Sequence, residues 1–270
     1  MALQDNDGSK PENDGPSRRA SAMRIGIDIG STAAKAAAFE GEELVCTLVV
    51  PTGFNGVDAA LRLADGLRER GIDPTACDAN VVATGYGRVS VPYAGKTVTE
   101  ITCHGRGAMY LFGGDGTVVD VGGQDTKVIQ LVDGKVKKFV MNDKCAAGTG
   151  KFLEVIADRM GVTQEELATL AAAGAPTQIS SMCTVFAESE VISLIGKGEP
   201  RENIANGVIE SIVAKVASLA GNLVQGDVYL TGGLCENDYV VERLSQHLGT
   251  KVRTNAHARF AGAIGAALSA

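Results

Sequence analysis

The apolar residues of this chain follow two patterns, one before residue 151 and one after it. The first part contains short apolar runs of the kind that predicts β-strands. These runs are Arg24–Gly30, two runs that meet in a hairpin at Glu40–Glu43, Asn80–Thr84, Thr117–Val121 and Lys127–Leu131. One helix is predicted among them, over Val57–Arg70, with Leu61, Ala64 and Leu67 on one face.

Helical spacing dominates from Lys151 onward. The predicted helices are Phe152–Met160, a helix with a Thr163–Glu166 capping box that ends near Gly174, Thr184–Ile195, Pro200–Ala220, Asp238–Leu248 and Ala258–Leu268. Two short strands are predicted between them, over Val228–Thr231 and Lys251–Arg253. The longest helix has an apolar stripe along one side, so we expect it to face a core.

One short motif occurs twice. Asp28, Gly30 and Lys35 have the same spacing as Asp120, Gly122 and Lys127. Each copy follows an apolar strand and leads into another apolar run. The repeat therefore indicates two related halves, each opening with a strand, a turn and a second strand.

The repeated motif is suited to phosphate binding. A strand that ends in Asp-x-Gly places a carboxylate beside a glycine turn, where backbone N–H groups can approach an anion. Ser31 and Thr32 add hydroxyl donors to the first copy. Two such hairpins facing each other could clamp a polyphosphate, with Asp28 and Asp120 holding Mg²⁺ through water. The alternative is that each copy is only a hairpin turn with a glycine, but two copies at equal spacing favour the phosphate interpretation.

Other residues near these motifs are candidates for the same site. Gln124 and Asp125 follow the second turn, where a water could face a γ-phosphate. We consider Gln124 and Asp120 as catalytic candidates, while a plain phosphate contact remains the alternative for Gln124. Gly232 and Gly233 follow a buried strand and are suited to cover a nucleoside and its α-phosphate.

Composition narrows the possible functions. The chain has 34 glycines in 270 residues. Its net charge of −7 argues against a general nucleic-acid partner. We find no apolar run near the ~18 residues of a membrane span, so no membrane is expected. Residues 1–22 are polar, lack a signal-peptide pattern and predict a disordered tail, which points to the cytoplasm. Met23, directly before the first strand, leaves a second translation start open.

The chain has six cysteines and no CxxC motif. Cys145 and Cys183 precede predicted helices, where the helix dipole favours a thiolate. Two thiolates per chain cannot complete a four-cysteine 4Fe-4S site, whereas a twofold dimer would supply two plus two. From spacing alone, two small buried cysteines remain the favoured interpretation. For the adjacent pair Cys103 and His104 we expect a structural role or a domain contact.

The three glycine elements resemble the phosphate-1, phosphate-2 and adenosine motifs of the superfamily of acetate and sugar kinases, heat-shock chaperones and actin. The resemblance implies an α/β fold of two ribonuclease-H-like domains with ATP or ADP in the cleft. It places a first ATPase domain at residues 23–116 and a second at 117–270, with the C-terminal helix free to pack back on the first. The expected nucleotide contacts are Asp28, Gly30, Ser31, Thr32, Lys35, Gly122, Gly123, Asp125, Gly148, Gly150, Gly232 and Gly233.

Longer segments are similar to the ATP-dependent activators of 2-hydroxyacyl-CoA dehydratases, the family that also contains benzoyl-CoA reductase ATPase subunits. These segments are residues 83–88, 102–108, 119–127, 141–154 and 183–193. The resemblance implies a homodimer with one 4Fe-4S cluster, held by Cys145 and Cys183 of each subunit. It further implies an anaerobic ATPase that takes an electron from reduced ferredoxin or flavodoxin. That electron would pass to a dehydratase component and start a ketyl-radical dehydration.

Three alternatives share the fold. A small-molecule kinase would need a substrate pocket and no cluster. A binding module or chaperone-like switch would hydrolyse ATP slowly and need neither cysteine. A benzoyl-CoA reductase-like ATPase subunit would keep the cluster and assemble permanently with other subunits. Neither the acyl group of the partner's substrate nor the potential of the cluster can be deduced from the sequence.

Overall fold

The computed structural model describes residues 22–180 and 183–270. The predicted tail therefore lies outside the described residues except for Ala22, as do two residues just before Cys183. The folded part contains two five-stranded sheets with helices packed around them.

The first sheet comprises β1 (Met23–Ile29), β2 (Ala33–Glu40), β3 (Glu43–Pro51), β4 (Asn80–Thr84) and β5 (Lys96–Thr97). Its strand order is β3-β2-β1-β4-β5, with the first three antiparallel and β4 parallel to β1. Helix α1 (Gly56–Arg68) packs on this sheet through Ala60, Leu63 and Leu67. Of the predicted apolar face, Ala64 and Leu67 are buried, but Leu61 is 46% exposed, so its placement was wrong.

The second sheet repeats this connectivity. It comprises β6 (Gly116–Val121), β7 (Thr126–Val132), β8 (Lys135–Asn142), β9 (Asp227–Gly232) and β10 (Val252–Arg253), in the order β10-β9-β6-β7-β8. Asp28 pairs with Lys35 across the β1–β2 hairpin, and Asp120 pairs with Lys127 across β6–β7. The repeated motif therefore occupies the same register in both halves.

Helices are inserted between strands of the second sheet. Between β8 and β9 lie α3 (Gly150–Met160), α4 (Gln164–Ala173), α5 (Thr184–Gly196) and α6 (Arg201–Ala220), and between β9 and β10 lies α7 (Asp238–Leu248). The predicted capping box is present at the start of α4, where the side chains of Thr163 and Glu166 each accept from the other's backbone N–H. Apolar residues of α3, α4 and α6 form the main core with strands β6 and β9.

One helix corrects the expectation that no segment matches a membrane span. By length and composition alone, the helical stretch 201–223 could cross a membrane. However, 56% of its apolar 18-residue segment is buried inside the fold. Its Val208 and Ile212 are part of the core. The burial identifies this stretch as a core helix.

The C-terminal helix α8 (Ala261–Ala267) returns to the first sheet and packs against β1 and helix α2 (Glu100–Phe112). The two helices approach so closely that a Cβ at Gly107 would lie 1.9 Å from the carbonyl oxygen of Ala261. Because α2 links the two sheets along the chain, this contact joins the end of the second half to the first half.

Candidate functional site

A cleft of about 1180 Å³ opens between the tips of the two Asp-x-Gly hairpins. Its lining includes every predicted nucleotide contact except Gly148, together with the catalytic candidates Asp120 and Gln124. Gly148 lies behind the cleft wall, where its carbonyl accepts a 2.5 Å hydrogen bond from Thr126 Oγ1. The structure thus brings together residues from both repeats and from the Gly232–Gly233 element.

The two hairpin turns touch each other across the cleft. A Cβ at Gly123 would lie 2.1 Å from the Oγ1 of Thr32, so glycine is required for this approach. The backbone of the second turn is also tied to helix α3. The carbonyls of Gly122 and Gly123 accept from the N–H groups of Gly150 and Lys151 at 2.9 and 2.8 Å.

Buried charges surround the base of the second hairpin. Lys127 is almost fully buried, and its Nζ lies 2.8 Å from Asp125, 2.9 Å from Glu100 and 3.6 Å from Asp120. Burial opposes its charge, but the surrounding carboxylates outweigh burial and raise the pKa of Lys127. In the first hairpin, Lys35 lies 3.7 Å from Asp28. Each predicted magnesium carboxylate is therefore balanced by the lysine paired with it across the hairpin.

Asp120 remains ionised despite complete burial. Burial alone would raise its pKa, but His104, Lys127 and a 2.7 Å hydrogen bond from Thr231 Oγ1 hold the pKa well below its usual range. The His104 ring responds to the same carboxylate. Burial disfavours its charged form, yet the neighbouring Asp120 raises the pKa of His104 above its ordinary value.

Helix α2 contributes two cleft residues that the motifs did not predict, Glu100 and His104. His104 contacts Asp120, so its side chain lies between the two halves. Lys127 was recognised as part of the repeat but was not assigned to the site. The signals for these residues were the i, i+4 spacing of Glu100 and His104 and the equivalence of Lys127 with Lys35.

The two motif cysteines lie at the surface. Cys145 is exposed, in the loop before α3, and its carbonyl accepts from Asn142 Nδ2 at 2.8 Å. Cys183 is exposed at the N-cap of α5. The interpretation of two small buried cysteines was therefore wrong. Cys103 and Cys235 are the buried ones, and burial raises the pKa of each thiol to about 11.

Residues 25–270 match the family described as the BadF/BadG/BcrA/BcrD ATPase family. The chain belongs to this family. The ATPase is 44% identical over 256 residues to the activator of lactoyl-CoA dehydratase from Anaerotignum propionicum, covering 91% of this chain and 96% of that protein. The family resemblance drawn from the sequence motifs is confirmed.

Solved structures agree with this assignment. Component A of (R)-2-hydroxyglutaryl-CoA dehydratase from Acidaminococcus fermentans is 40% identical, with a TM-score of 0.87 over 93% of this chain and 98% of that chain. The activator of 2-hydroxyisocaproyl-CoA dehydratase from Clostridium difficile, with bound ADPNP, is 36% identical, with a TM-score of 0.85 over 92% and 94%. More distant neighbours include a ROK-family glucokinase and show the fold alone. The predicted fold of two ribonuclease-H-like domains is confirmed.

Proposed function

We propose that this ATPase is an iron-sulfur electron-transfer activator of a 2-hydroxyacyl-CoA dehydratase. The observation that carries the proposal is the position of Cys145. This exposed thiol lies in the loop before α3, and the first residues of α3 donate hydrogen bonds to the glycine turn of the cleft. The start of α3 therefore connects the glycine turn of the cleft to the loop that carries this surface cysteine.

ATP and Mg²⁺ would occupy the cleft between the hairpins. Gly30, Ser31 and Thr32 on one side and Gly122 and Gly123 on the other would bind the phosphates through backbone and hydroxyl donors. The Oδ1 of Asp28 is buried and has no hydrogen-bond partner among the described residues. An unpaired carboxylate oxygen at this position fits a water-bridged magnesium ion, which prefers oxygen ligands and keeps part of its water shell.

The proposed cluster would be shared between two copies of the chain. Within residues 22–180 and 183–270, no three His, Cys, Asp or Glu side chains are placed so that together they could hold a metal ion. One chain would therefore contribute two thiolates, those of the exposed Cys145 and Cys183. Two subunits would supply the four thiolates that a 4Fe-4S cluster needs, and the cluster would provide single-electron transfer. Next to Cys183, Val185 and Phe186 are 66% and 67% exposed. Exposed apolar side chains beside the thiol fit a surface that a second copy covers.

ATP would act by shifting the second hairpin turn. Any movement of Gly122 and Gly123 passes to α3 through the two backbone hydrogen bonds, and α3 contacts the Cys183 helix α5. A γ-phosphate that pulls the hairpins together would reorient both thiol-bearing segments, and hydrolysis would release them. This arrangement would make electron transfer to the dehydratase conditional on ATP. Reduced ferredoxin or flavodoxin is the proposed donor, in the cytoplasm.

The proposal is tested by removing each thiol in turn under anoxic conditions. C145A and C183A should abolish ATP-dependent reduction of the dehydratase while ATP affinity stays within about threefold. C77A is the matched control, because Cys77 is also exposed but lies in the first half of the chain, away from the α3 and α5 helix starts. Loss of ATP binding in C145A or C183A, or retained electron transfer, would contradict the assignment.

A further inference from the structure

Helix α2 carries two polar side chains into the cleft, one helical turn apart. Glu100 begins the helix and His104 lies four residues later, so both face the same side. The His104 side chain is 5% exposed and that of Glu100 is 24% exposed, and both line the cleft. Burying two ionisable side chains on one helix face costs folding free energy, and a role in the site would explain why they are there.

Lys127 fixes the position of the Glu100 carboxylate. Its Nζ lies 2.9 Å from Oε1, and His104 Nε2 lies 3.8 Å from the same oxygen. The shortest contact with each partner therefore uses Oε1. The Glu100 side chain is 24% exposed and lines the cleft, so its carboxylate is open to a molecule bound there.

The His104 ring is held from three sides. Its Nδ1 lies 3.3 Å from Asp120 Oδ1, outside hydrogen-bond geometry, and has no hydrogen-bond partner among the described residues. Helix α8 closes the other side, because a Cβ at Gly262 would lie 3.0 Å from Nε2 and 2.6 Å from Asp28 Oδ2. The ring therefore packs between Glu100, Asp120 and α8 with little freedom to move.

We propose that Glu100 is a catalytic residue of ATP hydrolysis, whose carboxylate accepts a hydrogen bond from the attacking water. His104 is a positioning residue that, with Lys127, holds this carboxylate. The inference rests on the placement of ATP in the cleft proposed above. The water oxygen bonds to the γ-phosphorus while the bond from that phosphorus to the β,γ-bridging oxygen breaks. The electron pair leaves with ADP, and both water protons stay on the product, H₂PO₄⁻.

Preorganisation distinguishes Glu100 from Gln124. The Gln124 side chain is exposed and makes no hydrogen bond to another described residue. Its orientation must therefore be set by the ligand. Glu100 is already fixed by Lys127 and His104 before any nucleotide binds, which is the condition under which a polar group contributes most to a transition state.

The test measures steady-state ATP hydrolysis without dehydratase or electron donor. E100Q preserves the shape of the side chain, and its kcat should fall about 100-fold while KM for ATP stays within about threefold. H104N should lower kcat about tenfold, also without a change in KM. E100D, which keeps the carboxylate, should retain more activity than E100Q.

E210Q is the matched control. Glu210 contacts Arg243 and His247 much as Glu100 contacts Lys127 and His104, but it lies between α6 and α7, outside the cleft. It should hydrolyse ATP at the wild-type rate. Melting temperatures identify variants that fail to fold, and in that case E100D and H104N carry the test.

Two results would overturn the inference: a kcat of E100Q within about threefold of wild type, or a rise in KM at unchanged kcat. The second would make Glu100 a phosphate-binding residue. Because the assay needs no iron and no partner, its failure leaves the electron-transfer proposal standing. Failure of the cysteine experiment, in turn, leaves Glu100 unaffected.

Discussion

The backbone N–H of Lys151 donates a hydrogen bond to the carbonyl of Gly123, 2.8 Å away. This bond joins the start of α3 to the turn that touches Thr32 from the opposite hairpin. The loop that carries Cys145 runs directly into these first residues of α3, so it is linked to the contact across the cleft. Any change in the spacing of the two hairpins must strain or move the start of α3.

Substituting Gly123 tests the close approach of the two turns. G123A would place a Cβ 2.1 Å from Thr32 Oγ1 and 2.7 Å from Thr32 Cβ, so the hairpins must separate. We expect ATP affinity to fall at least about tenfold, which corresponds to about 1.4 kcal/mol. Equilibrium binding of a fluorescent ATP analogue measures this. G196A is the control, because a Cβ at Gly196 meets no atom of the described residues within 4 Å. Equal affinities for the two variants would show that the turns do not clamp the phosphates.

Lys127 should stabilise the folded chain as well as the site. K127M would leave the buried Asp120 and the partly buried Asp125 and Glu100 without their shared cation. We expect the free energy of unfolding to fall by about 3–5 kcal/mol, because removing one partner strands the others. Urea unfolding measures this loss, with K151M as the control. The exposed pair of Lys151 with Glu154 contributes at most about 1 kcal/mol. A loss below about 1 kcal/mol in K127M would contradict the network.

The raised pKa of His104 predicts a pH-dependent contribution to stability. A group whose pKa is higher in the folded state stabilises fully below its unfolded value of about 6.5. The contribution is lost as the pH rises through the folded-state value. The stability difference between wild type and H104N should therefore be larger at pH 6 than at pH 9, measured by urea unfolding. A difference that grows with rising pH would show that the ring is neutral beside Asp120.

Local patterns predicted the strands and turns of the site but not the helix that completes it. The Asp-x-Gly hairpins were predictable because their carboxylate, glycine and lysine have a fixed local spacing. Helix α2 was missed because its buried residues are Cys103, His104, Gly105, Gly107 and Ala108, which give no strong apolar period. Its packing partner α8 lies more than 140 residues later and is equally built from alanine and glycine. Strand β8 was missed because lysines occupy its exposed positions at the sheet edge.

Iron content and subunit stoichiometry, measured together on protein purified without oxygen, show whether two chains share one 4Fe-4S cluster. We expect a brown dimer with about four irons and four sulfides per two chains. C145A and C183A each remove two of the four proposed ligands, so each should lower the iron content of the dimer. Colourless, iron-free protein that still activates a dehydratase in an ATP-dependent manner would contradict the shared cluster.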